Sequence, residues 1–338
     1  PHRYEYMPLK LKMPEGTAAV NSHGLEVDAA GNIYLTYEPD HTNDTHCLVR
    51  WKPDGTGGEI LGAGGPLCVG TPHGLRLAVE GDETFLYHAN NGELLTKTTL
   101  EGDVVWQVRG PPNNDSKFEP YKPTWFAVPP EGDYVYLADG YGSNLIHVFT
   151  RDGAYANHTF GGGGSGDGQF ATCHSITYDA RRGQLVVSDR ENHRLQRFSY
   201  DAKTGGVFDF EDLARVEGID RICNIRSYPA LGGLAILPAL EGPVAIVDAE
   251  DETLAILNVS GLLGAEGHLH PHDAQILPNG DVVVATWAPG RVSYWKKLAG
   301  ASCAAKGDEC AQSADCCPEL TCQPDSATGK SECWRNHE

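Results

Sequence analysis

Six short segments that open in the same way recur along this chain at an almost constant interval. They are SHGLEV from Ser22, PHGLRL from Pro72, KPTWFAV from Lys122, CHSITY from Cys173, CNIRSY from Cys223 and PHDAQI from Pro271. Their anchors, His23, His73, Thr124, His174, Asn224 and His272, are spaced by 50, 51, 50, 50 and 48 residues. Self-similarity at such a period implies one supersecondary unit repeated, each burying its apolar face against the next. Within a unit the pattern reads as four short strands separated by turn residues. In the first, Leu25–Val27, Asn32–Tyr37, Cys47–Trp51 and Gly58–Leu61 alternate with AAG and KPDG turns. In the fourth, the runs are Ile176–Tyr178, Gln184–Ser188, Leu195–Tyr200 and Val207–Phe210. Four strands per unit and six units predict an all-β six-bladed propeller rather than a solenoid. The sixth unit runs out near Trp295 after three strands. The apolar, extended segment Tyr4–Met13 is predicted to supply its missing outer strand, which closes the ring and removes exposed sheet edges. The propeller is thus expected over residues 1–298, with a small module over 299–338.

Composition agrees with that class and narrows the function. Forty Gly and two Met favour an all-β chain rich in tight turns. The net charge of −20 repels nucleic acid and anionic membrane and attracts cations. No stretch approaches the roughly 18 apolar residues that span a bilayer. Neither nucleic acid nor membrane is expected as a partner, and a monomer is the expected state. Ten Cys and four Asn-x-Ser/Thr sequons, at Asn43, Asn114, Asn157 and Asn258, point to a secreted, oxidising environment. The opening PHRYEYMPLK has no signal-peptide core, so such a segment is expected to have been removed.

In a propeller the first strand of each blade lines the central channel. Four of the six anchors are histidine: His23, His73, His174 and His272. HLHPHD adds His268 and His270 just before the last of them. A lone core histidine is usually a hydrogen-bonded structural residue, but four at equivalent positions point to a metal on the axis. Imidazole suits Zn, Cu, Fe or Ni, and three histidines with one open position is the geometry of catalytic zinc. A fourth ring, from His23 or His270, would favour copper or iron.

ADGYGSNLIHVF from Ala138 and SDRENHRLQRF from Ser188 resemble the NHL repeat, and GGGGSGDGQF from Gly161 is similar to its glycine-rich inter-blade loop. A phosphate-cradling loop would need a strand–loop–helix context that is absent there. More specifically, PHGL at 72–75, DGYGS at 139–143, GQFATCHS at 168–175, SDRENHRLQ at 188–196 and PHD at 271–273 resemble peptidyl-α-hydroxyglycine α-amidating lyase. The likeness runs from about Ser22 to Lys296 and is weakest in the fifth blade. It implies a zinc on His73, His174 and His272, and a structural calcium on the Asp273 carboxylate and the carbonyls of Leu25 and Leu75. It also implies Tyr141 as the catalytic base and Arg190 at the mouth of the site, in a reaction that splits an N–Cα bond into an amide and glyoxylate. Glu38 stands where the family has an arginine, His270 where it has a methionine, and His23 where it has a small residue. Reversing the charge at Glu38 would repel a substrate carboxylate, or provide a base or a further ligand. The bland alternatives are that Tyr141 packs at a blade corner, that Asp189 and Arg190 brace a turn, and that Asp273 orients the neighbouring ring.

After Trp295 the chain shifts to a cysteine module spaced C-x6-C-x5-C-C-x4-C-x10-C. Six cysteines allow 15 pairings. The spacing resembles inhibitor-cystine-knot miniproteins, which implies Cys303–Cys317, Cys310–Cys322 and Cys316–Cys333. Such a knot could bind an extracellular ligand. A zinc knuckle is disfavoured, because no paired CxxC elements are present. The other four cysteines are expected to pair as Cys47–Cys68 and Cys173–Cys223, the second pair tying the openings of blades four and five.

Three functions compete. The first is a zinc-dependent lyase acting on a hydroxyglycine-type peptide or small molecule. The second is a copper or iron enzyme using the axial histidines, and the third a non-catalytic extracellular binding propeller. Propeller lactonases use acidic and amide ligands to calcium, unlike the histidines here.

Overall fold

The computed structural model describes residues 3–40, 46–62, 65–264, 268–298, 320–324 and 331–335. Six four-stranded antiparallel sheets follow one another in chain order. Blade one comprises Ala19–Val27, Ile33–Pro39, Leu48–Trp51 and Glu59–Ile60, and blade two Pro72–Glu80, Glu83–Asn90, Leu94–Thr99 and Val104–Arg109. Blade three comprises Trp125–Ala127, Tyr134–Ala138, Leu145–Thr150 and Tyr155–Gly161, and blade four Cys173–Asp179, Gln184–Asp189, Arg194–Tyr200 and Val207–Ala214. Blade five comprises Arg226–Tyr228, Leu234–Pro238, Pro243–Val247 and Thr253–Asn258. Blade six holds Pro271–Ile276, Val282–Thr286 and Arg291–Lys297, and its outer strand is Tyr4–Tyr6. The chain separates into two compact units, Tyr6–Lys296 and the combination of Pro1–Glu5 with Lys297–Glu338. In the second unit Leu320–Pro324 pairs with Ser331–Arg335, with Cys322 opposite Cys333 in the register. The three knot pairings otherwise fall outside the described residues.

Second strands in the sequence read as unbroken apolar runs, and the packing shows why. Alternate residues of a strand face opposite sides, and here both sides are buried. Ile33, Leu35 and Tyr37 enter a core shared with Val283 and Ala285 of blade six, while Tyr34 packs with Leu75 and Leu86 of blade two. Tyr136 and Ala138 likewise face blade four, and Val135 and Leu137 face blade two. Blades four and five share Val186, Leu195, Ala235 and Leu237. Between blades five and six Tyr228 donates from its hydroxyl to Gln275 Oε1 (2.8 Å) and accepts from the Ile276 N–H (2.8 Å). Each blade therefore lacks a core of its own and completes one with its neighbours.

The opening strands depart from regular pairing at the same place. The register shifts between Ser22 and Leu25, between Pro72 and Leu75, between Cys173 and Ser175, and between Pro271 and Asp273. Each shift contains one of the four anchor histidines. A bulge inserts an unpaired residue and re-aims its side chain. Here it turns the ring out of the sheet and into the channel.

Two glycines let adjacent opening strands touch backbone to backbone. A Cβ on Gly24 would lie 2.4 Å from the Leu75 nitrogen, and one on Gly74 would lie 2.2 Å from the Thr124 oxygen.

Cys47 and Cys68 form a disulfide, which ties the residue just before the third strand of blade one to the turn Gly65–Cys68 before blade two. The expected Cys173–Cys223 bond is absent, and both are buried free thiols. They hold the same position in successive blades, so each points the same way relative to its own blade and neither points at the other. Cys173 packs with Ala138, Ile146 and Phe170, whereas the Cys223 sulfur lies 3.9 Å from Arg221 O, on the side of Arg190.

Candidate metal centre

His23, His73, His174 and His272 meet on the axis, each 2% exposed or less. Ring centroids are 4.6 Å apart for His23–His73, 4.6 Å for His73–His272, 4.7 Å for His174–His272 and 5.1 Å for His73–His174. The ligand atoms of His23, His73 and His272 all lie within 4.8 Å of one another. His174 joins through its Nε2, 3.1 Å from His272 Nε2.

Two of the rings are locked by the backbone. His73 donates from Nδ1 to Thr124 O (2.9 Å), and His174 donates from Nδ1 to Cys223 O (2.7 Å). Those bonds place the proton on Nδ1 and leave an Nε2 lone pair aimed at the axis, the arrangement that metal-ligating histidines use. His73 Nε2, His272 Nδ1 and both nitrogens of His23 have no hydrogen-bond partner among the described residues. Unsatisfied buried nitrogens are costly unless something binds them. Burial lowers the pKa of all four rings, that of His73 to about 3. They are therefore neutral at physiological pH, the state a metal requires. The donor set fits a borderline divalent ion such as zinc, copper or iron.

His270 does not reach this cluster. Its Nδ1 donates to Leu240 O (2.7 Å) and its ring packs 5.7 Å from Trp287. His270 sits at a bend with a φ of 62° just before the strand Pro271–Ile276, and of the three histidines in HLHPHD His272 alone sits in the bulge.

Above the rings opens a pocket of about 470 Å³ whose wall includes Glu38, Tyr141, Arg190 and Arg221. The Tyr141 ring stands 5.2 Å from His73 and 5.6 Å from His174, and is 36% exposed. Its hydroxyl accepts from Arg190 Nη1 (3.2 Å). Burial raises the Tyr141 pKa, and the Arg190 charge works against that rise. Arg190 is itself positioned by Glu191, which accepts from its Nε (2.9 Å) and from Arg221 Nη2 (2.7 Å). Asn21 donates to Glu38 Oε2 (2.7 Å), so this carboxylate is held in the pocket wall. Asp189 does brace its turn: it accepts from Ala171 N, Arg194 Nε and Gln196 Nε2. Asn21 and Arg221 carried no signal in the sequence, since neither lies at a repeat anchor.

The oxygens expected to hold calcium are already engaged. Arg226 donates from Nη2 to Asp273 Oδ2 (2.6 Å) and to Leu25 O (2.8 Å), with Leu75 O at 3.4 Å. It donates from Nε to Asp273 Oδ1 (3.2 Å) and from Nη1 to Glu26. A guanidinium fills the space between these donors, so the residues present do not fit a calcium ion. The expected ligation by Asp273, Leu25 and Leu75 is thus corrected. An arginine in CNIRSY, two residues past an axial anchor, was the sequence signal for it.

Residues 170–198 match the NHL repeat. This chain is an all-β six-bladed propeller with an NHL repeat. The propeller is similar to peptidylglycine alpha-amidating monooxygenase of Rattus norvegicus, with 30% identity over 212 residues, 53% of this chain and 21% of that protein. It is also similar to peptidyl-glycine alpha-amidating monooxygenase B of Xenopus laevis, with 29% identity over 208 residues, 54% of this chain and 23% of that protein. The matched part thus spans under a quarter of those relatives. Among solved structures, virginiamycin B lyase from Staphylococcus aureus superposes with a TM-score of 0.51 at 11% identity, covering 90% of this chain and 91% of that one. At that identity the likeness concerns the fold alone. Among the described residues no helix is long and apolar enough to cross a membrane.

Proposed function

We propose that the propeller is a secreted, metal-dependent lyase that splits the N–Cα bond of a hydroxyglycine-type substrate into an amide and glyoxylate. The observation that carries this reading is the convergence of buried imidazoles beside the Tyr141 ring, whose hydroxyl accepts from Arg190. The similarity to amidating monooxygenases over half the chain supports it. His73, His174 and His272 would hold the ion, zinc in this reading, with His23 beside them. When bound, the ion would supply Lewis acidity toward a hydroxyl or carbonyl oxygen. Tyr141 Oη, as a phenolate whose charge Arg190 holds, takes the proton of the substrate hydroxyl and passes that same proton to the departing amide nitrogen. The freed oxygen electrons form the aldehyde C=O, the N–Cα bond breaks, and the amide nitrogen recovers a proton. Arg190 and Arg221 provide positive charge for the glyoxylate carboxylate. Glu38 disfavours a second carboxylate and suits a substrate with a hydrogen-bond donor on that side. Secretion is supported by the Cys47–Cys68 disulfide, which persists in oxidising compartments.

Incubation of the zinc-loaded protein with an α-hydroxyglycine model compound should release glyoxylate. Tyr141→Phe should slow that release about 100-fold or more, the usual contribution of a positioned acid–base group. A fully metallated sample that forms no glyoxylate rules out the activity.

A second reading rests on His23, whose ligand atom lies with those of His73 and His272. A four-imidazole set favours copper or iron over zinc. Metal analysis with an optical or spin-resonance spectrum decides it, and a colourless, spin-silent zinc protein excludes it.

A further inference from the structure

Below the histidine tier lies a second axial tier made of oxygens. It contains both carboxylate oxygens of Asp273, the carbonyls of Leu25 and Leu75, and the Glu26 carboxylate. These come from the opening strands of blades one, two and six, three residues or fewer beyond the axial histidines. Blade five contributes Arg226, 3% exposed, and Asn224, which donates to Asp273 Oδ1 (2.9 Å). The Arg226 guanidinium lies 5.7 Å from the Trp125 ring, and that ring also faces His174 and His272 at 6.3 and 5.9 Å.

Oxygens converging from three blades repel one another unless a positive charge sits among them. Five such donors within reach of one point resemble the set a hard divalent cation selects. Here the charge is on the chain, and the planar fork of a guanidinium matches a carboxylate with two parallel bonds. Two cations, Arg226 and Arg76, face two anions, Asp273 and Glu26, with Arg76 Nη1 3.7 Å from Glu26. The tier is therefore neutral as built, and adding a divalent ion would leave it with excess positive charge.

We infer that Arg226 is the resident cation of this oxygen cage, so that the propeller axis is tied without a divalent ion and the cage becomes a Ca2+ site when that side chain is removed. The inference is independent of the lyase reading and is tested without measuring activity.

The probes are Ca2+, Tb3+ and, as an ionic control, Mg2+, applied to the full chain. Trp125 is close enough to sensitise Tb3+ luminescence from the cage. The native protein should show no saturable, Ca2+-displaceable Tb3+ signal, and its melting temperature should be equal in Ca2+ and Mg2+. Arg226→Ala should gain the signal at about one Tb3+ per chain. Its melting temperature should rise by about 5 °C in Ca2+ at a hundredfold excess over Kd, and not in Mg2+. Arg226→Met fills the space with no charge and should be destabilised without rescue by Ca2+. If Arg226→Ala is soluble only when made with Ca2+ present, the inference also stands. Stoichiometric Ca2+ in the native protein, a Ca2+-specific rise in its melting temperature, or Arg226→Ala that Ca2+ neither binds nor rescues would each overturn it.

Discussion

Asp273 and His272 are joined by one peptide bond and belong to different chemistries. His272 turns its ring into the neutral imidazole tier, while Asp273 is locked to Arg226 by two hydrogen bonds. What a side chain does on this axis is decided by which nitrogen or oxygen the backbone reaches first. Carbonyls at Thr124 and Cys223 take the Nδ1 protons of His73 and His174, and so leave both Nε2 atoms as bases. The same residue-level reasoning bears on the thiols. Burial pushes the Cys223 pKa up to about 11 and holds that of Cys173 well above its ordinary value. Neither presents a thiolate at neutral pH, although Cys223 lies beside Arg190. Alkylation of the native protein at pH 8 should therefore leave both unlabelled. Unfolding without a reductant should label Cys173 and Cys223 but not Cys47 or Cys68, as read by peptide mass mapping. A Cys173–Cys223 crosslinked peptide would contradict the assignment.

The blade is the element that makes the site, through its bulged opening strand. The register shift at each anchor histidine turns a residue that would otherwise pack between sheets toward the channel. That bulge was not legible in the sequence, because it adds no composition signal and only a displaced pairing. What was legible was the glycine after the histidine in SHGL and PHGL. It is required by the 2.2 Å approach that a Cβ at Gly74 would make to Thr124 O. Gly74→Ala must push that carbonyl away, and the same carbonyl orients His73. We expect a loss of about 1–3 kcal/mol of stability and a fall of about 10–100-fold in metal affinity. Thermal unfolding and a metal-competition titration measure the two effects. A variant that loses stability yet keeps its affinity would show that the His73–Thr124 bond does not orient the ligand.

Across the whole molecule, burial of neutral histidines makes stability depend on pH. His88, 4% exposed and hydrogen-bonded through Nε2 to Thr98 Oγ1 (2.9 Å), has its pKa lowered by burial to about 3. The unfolded chain takes up a proton below pH about 6.5, and the folded chain does not until far lower. Stability is thus complete above that pH and falls as pH drops, by up to about 1.4 kcal/mol per unit for each such ring. Between pH 7.5 and 5.5 the melting temperature should fall, and His88→Gln should make that fall shallower. Parallel curves for the two proteins would exclude the assignment. The ring of six blades was readable from the sequence, because closure demands a constant period and every repeat spends one position on the axis. The same regularity exposed His23, His73, His174 and His272. Arg226 was missed because its place two residues past an anchor signals only nearness to the axis, while its charge partners lie 47 and 200 residues away in the chain. Cys173 and Cys223 were misread because nearness in the repeat says nothing about the direction of a sulfur.

The order of the blades has a consequence for biosynthesis. His23 and His73 leave the ribosome first, His174 follows, and His272 emerges with the last blade, about 200 residues after His73. A nascent chain whose earlier blades have packed against one another still lacks the last of its axial imidazoles. In the metal-dependent reading proposed above, ion capture would therefore follow translation and be coupled to the arrival of the final repeat. A product truncated before Pro271 would lack His272, one of the four rings that meet on the axis.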